Sequence, residues 1–216
     1  MELNKYIDHT NLKPGATRAD IERLCAEARE YRFASVCVNP VNVSLARDLL
    51  AGSDVKVCTV IGFPLGQNST AIKVAETEDA YRAGCEEFDM VINVGRLHDG
   101  DTAYVRDEIA AVVAAAGGRT VKVIIECGLL SDEEKATATR LACAAGAHFV
   151  KTCTGVSAGV ATVEDIRLMR SCLSGGAKLK ASAGIRTYAD AIALIEAGAE
   201  RIGTSAGIAI MAEAGK

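Results

Sequence analysis

Aromatic residues are scarce in this 216-residue chain: tryptophan is absent, and Phe, Trp and Tyr together make up only 4% of the sequence. Proteins that bind single-stranded nucleic acid commonly stack the bases on aromatic side chains. The net charge is −4, from 24 basic and 28 acidic residues, so the chain lacks the positive excess that attracts nucleic acid or an anionic membrane. We therefore expect neither nucleic acid nor a membrane among its partners.

Metal-binding and targeting signals are also missing. The eight cysteines include no C-x-x-C pair, and the spacing of the three histidines matches no zinc motif. The N-terminus has no apolar signal core, and no apolar run approaches the roughly 18 residues of a membrane span. Because unpaired thiols suit a reducing compartment, we expect a cytoplasmic protein that needs no metal and no cofactor.

Half of the residues (50%) are hydrophobic, and two sequence textures alternate along the chain. Short runs rich in β-branched residues predict eight strands, at 6–8, 35–38, 55–61, 88–92, 121–125, 148–150, 178–180 and 201–203. Stretches rich in Ala, Glu and Arg with helical periodicity predict helices at 18–29, 71–83, 102–116, 131–145, 163–172 and 188–197.

Strands begin roughly every 20 to 33 residues, which is the length of one βα unit. Eight such units predict an α/β fold, a single (β/α)8 TIM-barrel domain over residues 1–216. The alternative is a doubly wound open sheet. Against it, no Gly-x-Gly-x-x-Gly motif follows the first strand.

Polar residues concentrate where the predicted strands end, which is where barrel enzymes carry their active sites. Lys151 and Lys180 end the sixth and seventh strands, and lysine is rarely buried unless it is paired. Two ammonium groups in one dry pocket disfavour each other's charge, which favours a neutral, nucleophilic amine able to condense with an aldehyde. Alternatively, each lysine only pairs with Glu126 or Asp89. Spacing alone leaves Lys122 and Lys151 as equal candidates for this nucleophilic amine.

Asp89 lies in a strand among apolar residues, where an acid is costly to bury without a partner. It either pairs with a lysine across the barrel or transfers protons as a general acid and base, and the two roles are compatible.

Small-residue turns after the last three strands suggest a phosphate site on backbone N–H groups. No P-loop motif is present, so a nucleoside triphosphate is not implied. Cys37 either faces the pocket or packs as a core thiol. The substrate- and phosphate-binding candidates are Gly155, Gly184, Ser205, Thr152, Asp8 and Cys37.

Five ordered motifs cover nearly the whole chain: DHT at 8–10 with LKP at 12–14, VIGFPLG at 60–66, FDMVIN at 88–93, FVKT at 149–152 followed by Gly155, and KAS at 180–182 followed by GIRT at 184–187. In these motifs the chain resembles the deoxyribose-phosphate aldolases, which are Schiff-base-forming (class I) aldolases with a (β/α)8 barrel. The resemblance implies reversible cleavage of 2-deoxy-D-ribose 5-phosphate to acetaldehyde and D-glyceraldehyde 3-phosphate, without a metal.

The resemblance also implies residue roles. Lys151 would form the Schiff base, Lys180 would be the neighbouring cation, and Asp89 would relay protons. Gly155, Gly184 and Ser205 would hold the phosphate. A homodimer is expected on the same basis.

The chain departs from the family pattern at Ala183, where a second glycine is usual, at Cys127, where threonine is frequent, and at Val156. The Ala183 methyl is expected either to crowd the phosphate turn or to require a negative φ. Two rival functions stay open: a phosphate-binding barrel isomerase or synthase that uses no imine, and a non-catalytic binder of phosphorylated sugars.

Overall fold

The computed structural model describes residues 1–215. Within that range, parallel strands form a closed barrel in which each strand pairs with the next and the eighth pairs with the first. The strands are β1 (Ile7–Asn11), β2 (Ser35–Val38), β3 (Lys56–Ile61), β4 (Glu87–Val91), β5 (Thr120–Ile124), β6 (Phe149–Lys151), β7 (Lys178–Ser182) and β8 (Arg201–Thr204). The predicted (β/α)8 barrel is confirmed, and the open sheet is wrong.

Helices cover the outside of the barrel. In residues 1–215 they are α1 (Arg18–Tyr31), α2 (Val43–Leu49), α3 (Thr70–Ala83), α4 (Val94–His98), α5 (Thr102–Ala115), α6 (Asp132–Ala144), α7 (Val163–Cys172), α8 (Tyr188–Ala197) and α9 (Gly207–Ala214). None of those helices combines the length and the apolar character that crossing a bilayer requires.

Six of these helices match the predicted segments to within two residues at each end. The sequence did not reveal α2, α4 and α9. Helices α2 and α4 have only seven and five residues, too few to establish a 3.6-residue period. Helix α9 is largely apolar and therefore shows no contrast between a buried and an exposed face.

The hydrophobic core lies between the strands and the helices, because alternate strand residues face outward. Val121 and Val123 of β5 and Val150 of β6 are fully buried in this layer. Residues of the other parity face into the barrel. Lys122 lies between the two β5 valines, so the same strand delivers a charged side chain to the barrel interior.

Capping boxes fix where three of the helices begin. The N-cap and third-residue pairs are Thr17 with Asp20, Ser131 with Glu134 and Thr187 with Asp190. Each N-cap side chain accepts a hydrogen bond from an otherwise unpaired backbone N–H, which is worth about 1 kcal/mol. These caps set the lengths of the loops that follow β1, β5 and β7 at the carboxyl end of the barrel.

A buried ion pair outside the barrel holds the end of one strand. Lys73 of α3 and Glu108 of α5 are 2.9 Å apart, and neither side chain is exposed. Lys73 donates to the Val91 carbonyl at 2.8 Å, and Glu108 accepts from the Asn93 N–H at 3.1 Å. The pair therefore fixes the carboxyl end of β4, the strand that carries Asp89.

Candidate active site

The Asp89 carboxylate lies at the centre of a buried cluster of lysines. Its Oδ2 accepts from Lys151 Nζ at 2.8 Å and from Lys180 Nζ at 2.7 Å. Its Oδ1 accepts from Lys122 Nζ at 2.8 Å. Lys151 and Lys180 lie together on neighbouring strands, as predicted, but only Lys151 ends its strand, because β7 continues beyond Lys180 to Ser182. Glu126 does not pair with them and instead accepts from the Thr154 N–H.

A second layer of charges supports this cluster from below. Lys122 also pairs with Glu87 at 2.7 Å, and Lys180 also pairs with Asp8. Arg201 joins the two acids, with Nη1 at 2.6 Å from Asp8 Oδ1 and 2.9 Å from Glu87 Oε2. The whole cluster thus contains three lysines and one arginine against three carboxylates.

The strand register explains why these side chains meet. Asp89 on β4 is the direct partner of Lys122 on β5, and Lys151 on β6 is the direct partner of Lys180 on β7. Gly203 on β8 leaves room for them, because a Cβ there would lie 3.0 Å from Lys180 Cε and still closer to the neighbouring Ser182 hydroxyl. A closed barrel brings all of these positions around one axis.

The electrostatics of the cluster fix most of its charges. Burial opposes the charged form of Asp89, but Lys122, Lys151 and Lys180 outweigh it and hold the pKa of this carboxyl well below its usual range. Burial likewise opposes the Lys180 ammonium, yet Asp8 and Asp89 keep its pKa above the ordinary value. The same balance, led by Asp89, raises the pKa of Lys122. Lys180 and Lys122 are therefore cations beside ionised acids.

A cavity of about 630 Å³ opens above the cluster at the carboxyl end of the strands. Lys151 lines it and is 4% exposed, whereas Lys122 and Lys180 are 0% and 1% exposed. This difference separates Lys151 from Lys122, which the sequence alone left equal. Of the three lysines that contact Asp89, Lys151 is the one placed to meet a ligand.

Three of the predicted binding residues line the same cavity: Gly155, Gly184 and Ser205. Gly155 and Gly184 have φ values of +80° and +77°, a region that favours glycine. A Cβ at Gly184 would also lie 2.7 Å from Val160 Cγ1. The turns after β6, β7 and β8 therefore form one wall of the cavity.

The other three predicted binding residues lie behind the cavity wall. The Thr152 hydroxyl donates to the Ser182 carbonyl and accepts from its N–H, which ties β6 to β7. Asp8 is fully buried beneath Lys180, and Cys37 is buried next to Cys58. Strand parity and depth, which a strand-end motif does not specify, place these groups away from the cavity surface.

Residues outside the predicted set of catalytic and binding residues also contribute charge to the site. Glu87 and Arg201 complete the buried cluster. Glu87 could have been found from the sequence, because it is two residues before Asp89 and therefore on the same face of the strand. Lys13 and Arg186 line the cavity and add positive charge to it. Lys13 belongs to a motif noted in the sequence, but nothing in its spacing pointed to the barrel mouth.

Ala183 adopts an unusual backbone conformation in the turn after β7. Its φ is +85°, so the expectation of a negative φ is wrong. The neighbouring Gly155 also approaches it: a Cβ at Gly155 would lie 3.5 Å from the Ala183 Cβ. The turn keeps the conformation that suits glycine even though an alanine occupies it, at some cost in backbone strain.

Comparison with known proteins shows the family of this chain. A family model described as DeoC/LacD family aldolase matches residues 3–213. A Streptococcus suis (strain 98HAH33) protein named deoxyribose-phosphate aldolase is 58% identical over 211 residues, covering 98% of this chain and 96% of its own. A protein of the same name from Streptococcus pneumoniae (strain Taiwan19F-14) is 57% identical with the same coverage. The tetrameric deoxyribose phosphate aldolase of Aeropyrum pernix superimposes with a TM-score of 0.92 at 34% identity, covering 99% of this chain and 91% of that one.

Fold, buried lysines and these matches define a TIM-barrel lyase that makes or breaks a carbon–carbon bond, an aldolase. The chain belongs to the DeoC/LacD aldolase family, and its similarity to the deoxyribose-phosphate aldolases extends over nearly its full length.

Proposed function

We propose that this aldolase reversibly cleaves 2-deoxy-D-ribose 5-phosphate into acetaldehyde and D-glyceraldehyde 3-phosphate through a Schiff base on Lys151. The substrate follows the names of the similar proteins from Streptococcus. The chemistry follows from the cluster around Asp89, in which an amine faces a cavity and its neighbours hold fixed charges.

The charge count of the cluster is the observation that carries the proposal. Three carboxylates face four basic groups, and two of those, Lys122 and Lys180, are each paired with two or more acids. Arg201 is always charged. Charge balance in the buried cluster is reached when Lys151, the remaining group, is a neutral amine. Neutral amines are nucleophiles toward carbonyl carbon.

The reaction then proceeds in balanced steps. The Lys151 lone pair attacks the aldehyde carbon of the open-chain sugar, one proton is taken up from solvent, and the carbonyl oxygen departs as water to leave a protonated imine. Removal of the proton from the 3-hydroxyl breaks the C2–C3 bond and releases D-glyceraldehyde 3-phosphate, and the bond electrons move into the imine to form an enamine. Protonation of the enamine at C2 and hydrolysis release acetaldehyde and restore Lys151.

Asp89 supports the proton transfers. Its carboxylate contacts the lysine nitrogen, and Lys180 holds it on the same oxygen. An acid fixed in this way is suited to relay protons through water between the amine and the sugar hydroxyl. Asp8 contacts Lys180 rather than the cavity, so we assign it the role of positioning that cation.

Phosphate would bind at the opposite wall of the cavity. The turns that contain Gly155, Gly184 and Ser205 line this wall, and Lys13 and Arg186 add positive charge to it. Backbone N–H groups of such turns commonly bind phosphate. The acids that also line the cavity are already paired, Asp20 with Arg23 and Glu27 with His9. The wall therefore suits an anion.

The test is conversion of 2-deoxy-D-ribose 5-phosphate by the purified chain, followed by NMR of both products. The Lys151→Met variant should lose turnover by a factor of about 10³ or more, because the covalent step is removed. Lys178→Met is the matched control. Lys178 begins β7 at the far end of the barrel, where it is 3.4 Å from Glu200 on the surface, and its loss should leave turnover unchanged.

The rival functions predict different results. An isomerase or synthase without an imine would keep appreciable activity in Lys151→Met, and a non-catalytic binder would bind the sugar phosphate without forming products. Treatment of the wild-type chain with a chelator should not change the rate, since no step requires a metal. The expected homodimer stays a prediction, which light scattering can check.

A further inference from the structure

Three side chains that the proposed reaction leaves partly unexplained meet on the β2–β4 side of the barrel. They are Cys37, Cys58 and Asp89, all buried, and their sulfur and oxygen ligand atoms lie within 4.8 Å of one another. Cys37 and Cys58 are direct register partners on β2 and β3. Cys58 Sγ lies 3.2 Å from Asp89 Oδ1. No sequence motif marks this group, because its members come from three different strands.

We propose that Cys37, Cys58 and Asp89 form a site for one soft divalent cation of the zinc or cadmium type, whose binding locks Asp89 and blocks the enzyme reversibly. The site goes beyond the proposed aldolase reaction, which uses no metal. It also does not depend on that reaction, because metal binding can be measured without a substrate.

The geometry fits such an ion after a small contraction. Zinc–sulfur bonds of about 2.3 Å and zinc–oxygen bonds of about 2.0–2.2 Å bring tetrahedral ligand atoms to roughly 3.5–3.8 Å from one another. The Cys58–Asp89 distance of 3.2 Å is already below that range, and all separations in the group are within 4.8 Å, so ligation requires shifts of at most about an ångström.

The two carboxylate oxygens of Asp89 have different neighbours. Oδ2 faces Lys151 and Lys180, whereas Oδ1 faces Cys58 and Lys122. A cation between Oδ1 and Cys58 would displace the Lys122 ammonium, which lies 2.8 Å from Oδ1 and 3.2 Å from Cys58 Sγ. Lys122 would keep its 2.7 Å contact with Glu87, so its charge would stay paired.

Charge balance also permits the ion. When a dication binds, the two thiols lose their protons to solvent and become thiolate ligands, so two positive charges replace two protons. The net charge of the cluster is then the same before and after binding. Two thiolates and one carboxylate favour Zn²⁺ and Cd²⁺ strongly over Mg²⁺ and Ca²⁺, which require oxygen ligands.

The experiment uses Cd²⁺ on the reduced full-length chain, without substrate. Equilibrium dialysis should give one tightly bound ion per chain, ultraviolet spectra should show thiolate-to-metal charge transfer, and a weakly buffered solution should show release of two protons per ion. Cys37→Ser and Cys58→Ser should each weaken this binding at least about tenfold, since even changes outside the ligand shell weaken metal sites 10–100-fold.

The double variant Cys143→Ser/Cys172→Ser is the control, because it removes two half-buried cysteines elsewhere and should leave Cd²⁺ binding unchanged. X-ray absorption of the loaded wild-type chain keeps the test valid if a barrel variant does not fold, and it should show two sulfur ligands with oxygen completing the shell. Absence of tight binding, a single sulfur ligand, or a Cd²⁺ affinity of Cys37→Ser or Cys58→Ser that is unchanged from the wild type would overturn the proposal. An equal response to Mg²⁺ would overturn it too.

Discussion

Lys151 and Lys180 are direct partners on neighbouring strands, and their side-chain nitrogens contact the same oxygen of Asp89, at 2.8 and 2.7 Å. Asp8 provides a further contact for Lys180, and the two acids hold the pKa of Lys180 above its ordinary value despite burial. Lys180 is therefore the permanent cation of the pair. In our proposal Lys151, which faces the cavity, is the amine.

Replacing Asp89 by asparagine should damage both activity and stability. Three lysines contact this carboxylate, so the Asp89→Asn variant leaves a surplus of buried positive charge. We expect a loss of about 3–5 kcal/mol in the free energy of unfolding, as for other broken buried ion pairs. Turnover should fall by about 10²–10⁴, the usual effect of losing a group that transfers protons.

Chemical denaturation and steady-state kinetics measure these two effects separately. Asp132→Asn, on the exposed start of α6, is the control: its exposed pair with Lys135 is worth at most about 1 kcal/mol, and turnover should be unchanged. Near-normal stability of Asp89→Asn would contradict the charge cluster.

Acid should destabilise the folded protein. The pKa values of Asp8 and Asp89 are lowered in the folded state: burial opposes this, but basic neighbours outweigh it, led by Arg201 at Asp8 and Lys122 at Asp89. Their contribution is fully present above the unfolded pKa of about 3.8 and is lost as the pH falls toward the folded values. Below about pH 4, each carboxyl should lower the free energy of unfolding by about 1.4 kcal/mol per pH unit.

Urea unfolding at pH values from 3 to 6 checks this slope, because the chosen interval spans the unfolded pKa of about 3.8. The Asp8→Asn variant cannot titrate at that position, so its stability should fall less steeply with acid. Equal slopes in the two proteins would show that Asp8 does not contribute.

The buried pair of Lys73 and Glu108 should cost free energy rather than supply it. Burial, partly offset by the partner's charge, lowers the pKa of Lys73 and raises that of Glu108, so both shifts disfavour the charged forms. A double replacement, Lys73→Met with Glu108→Leu, should therefore be neutral or stabilise by about 1–4 kcal/mol. Either single replacement should destabilise by about 3–5 kcal/mol.

A double-mutant cycle by thermal or urea unfolding measures these values. The strand end at Val91 and Asn93 loses its side-chain partners in the double variant, so turnover should fall even where stability rises. Additive single effects would contradict the coupling.

Ala183→Gly should stabilise the chain. Residue 183 has a φ of +85°, which costs an alanine about 1–2 kcal/mol relative to the preferred region. Glycine also makes the unfolded chain more flexible, which offsets part of this gain. The free energy of unfolding should therefore rise by about 1 kcal/mol. Urea unfolding tests this, with Ala158→Gly, in the loop between β6 and α7, as a comparison. A destabilised Ala183→Gly variant would show that the turn is not strained.

Most of the fold could be predicted from the sequence, because strand and helix textures alternate with the length of a βα unit. That Lys151, Lys180 and Asp89 meet at one site could also be predicted, since parallel strands in a barrel have their carboxyl ends at one rim. Glu87 and Arg201 were missed because they lie at the beginnings of strands. Their contact depends on the register and tilt of a closed barrel, which local patterns do not encode.

Depth was the second quantity that the sequence could not supply. Thr152, Asp8 and Cys37 occupy the predicted strand ends, yet their side chains lie behind the cavity surface. The positive φ at Ala183 was also inaccessible, because the residue type argues against the conformation that the turn imposes.

Reductive trapping tests the central claim most directly. The chain is incubated with acetaldehyde and borohydride, digested, and mapped by mass spectrometry, with the Lys151→Met variant in parallel. The structure predicts one ethyl adduct on Lys151, which lines the cavity, and none on Lys122 or Lys180, which are held by carboxylates beneath it. An adduct on Lys122 or Lys180, or no adduct on any of the three, would contradict a Schiff base on Lys151.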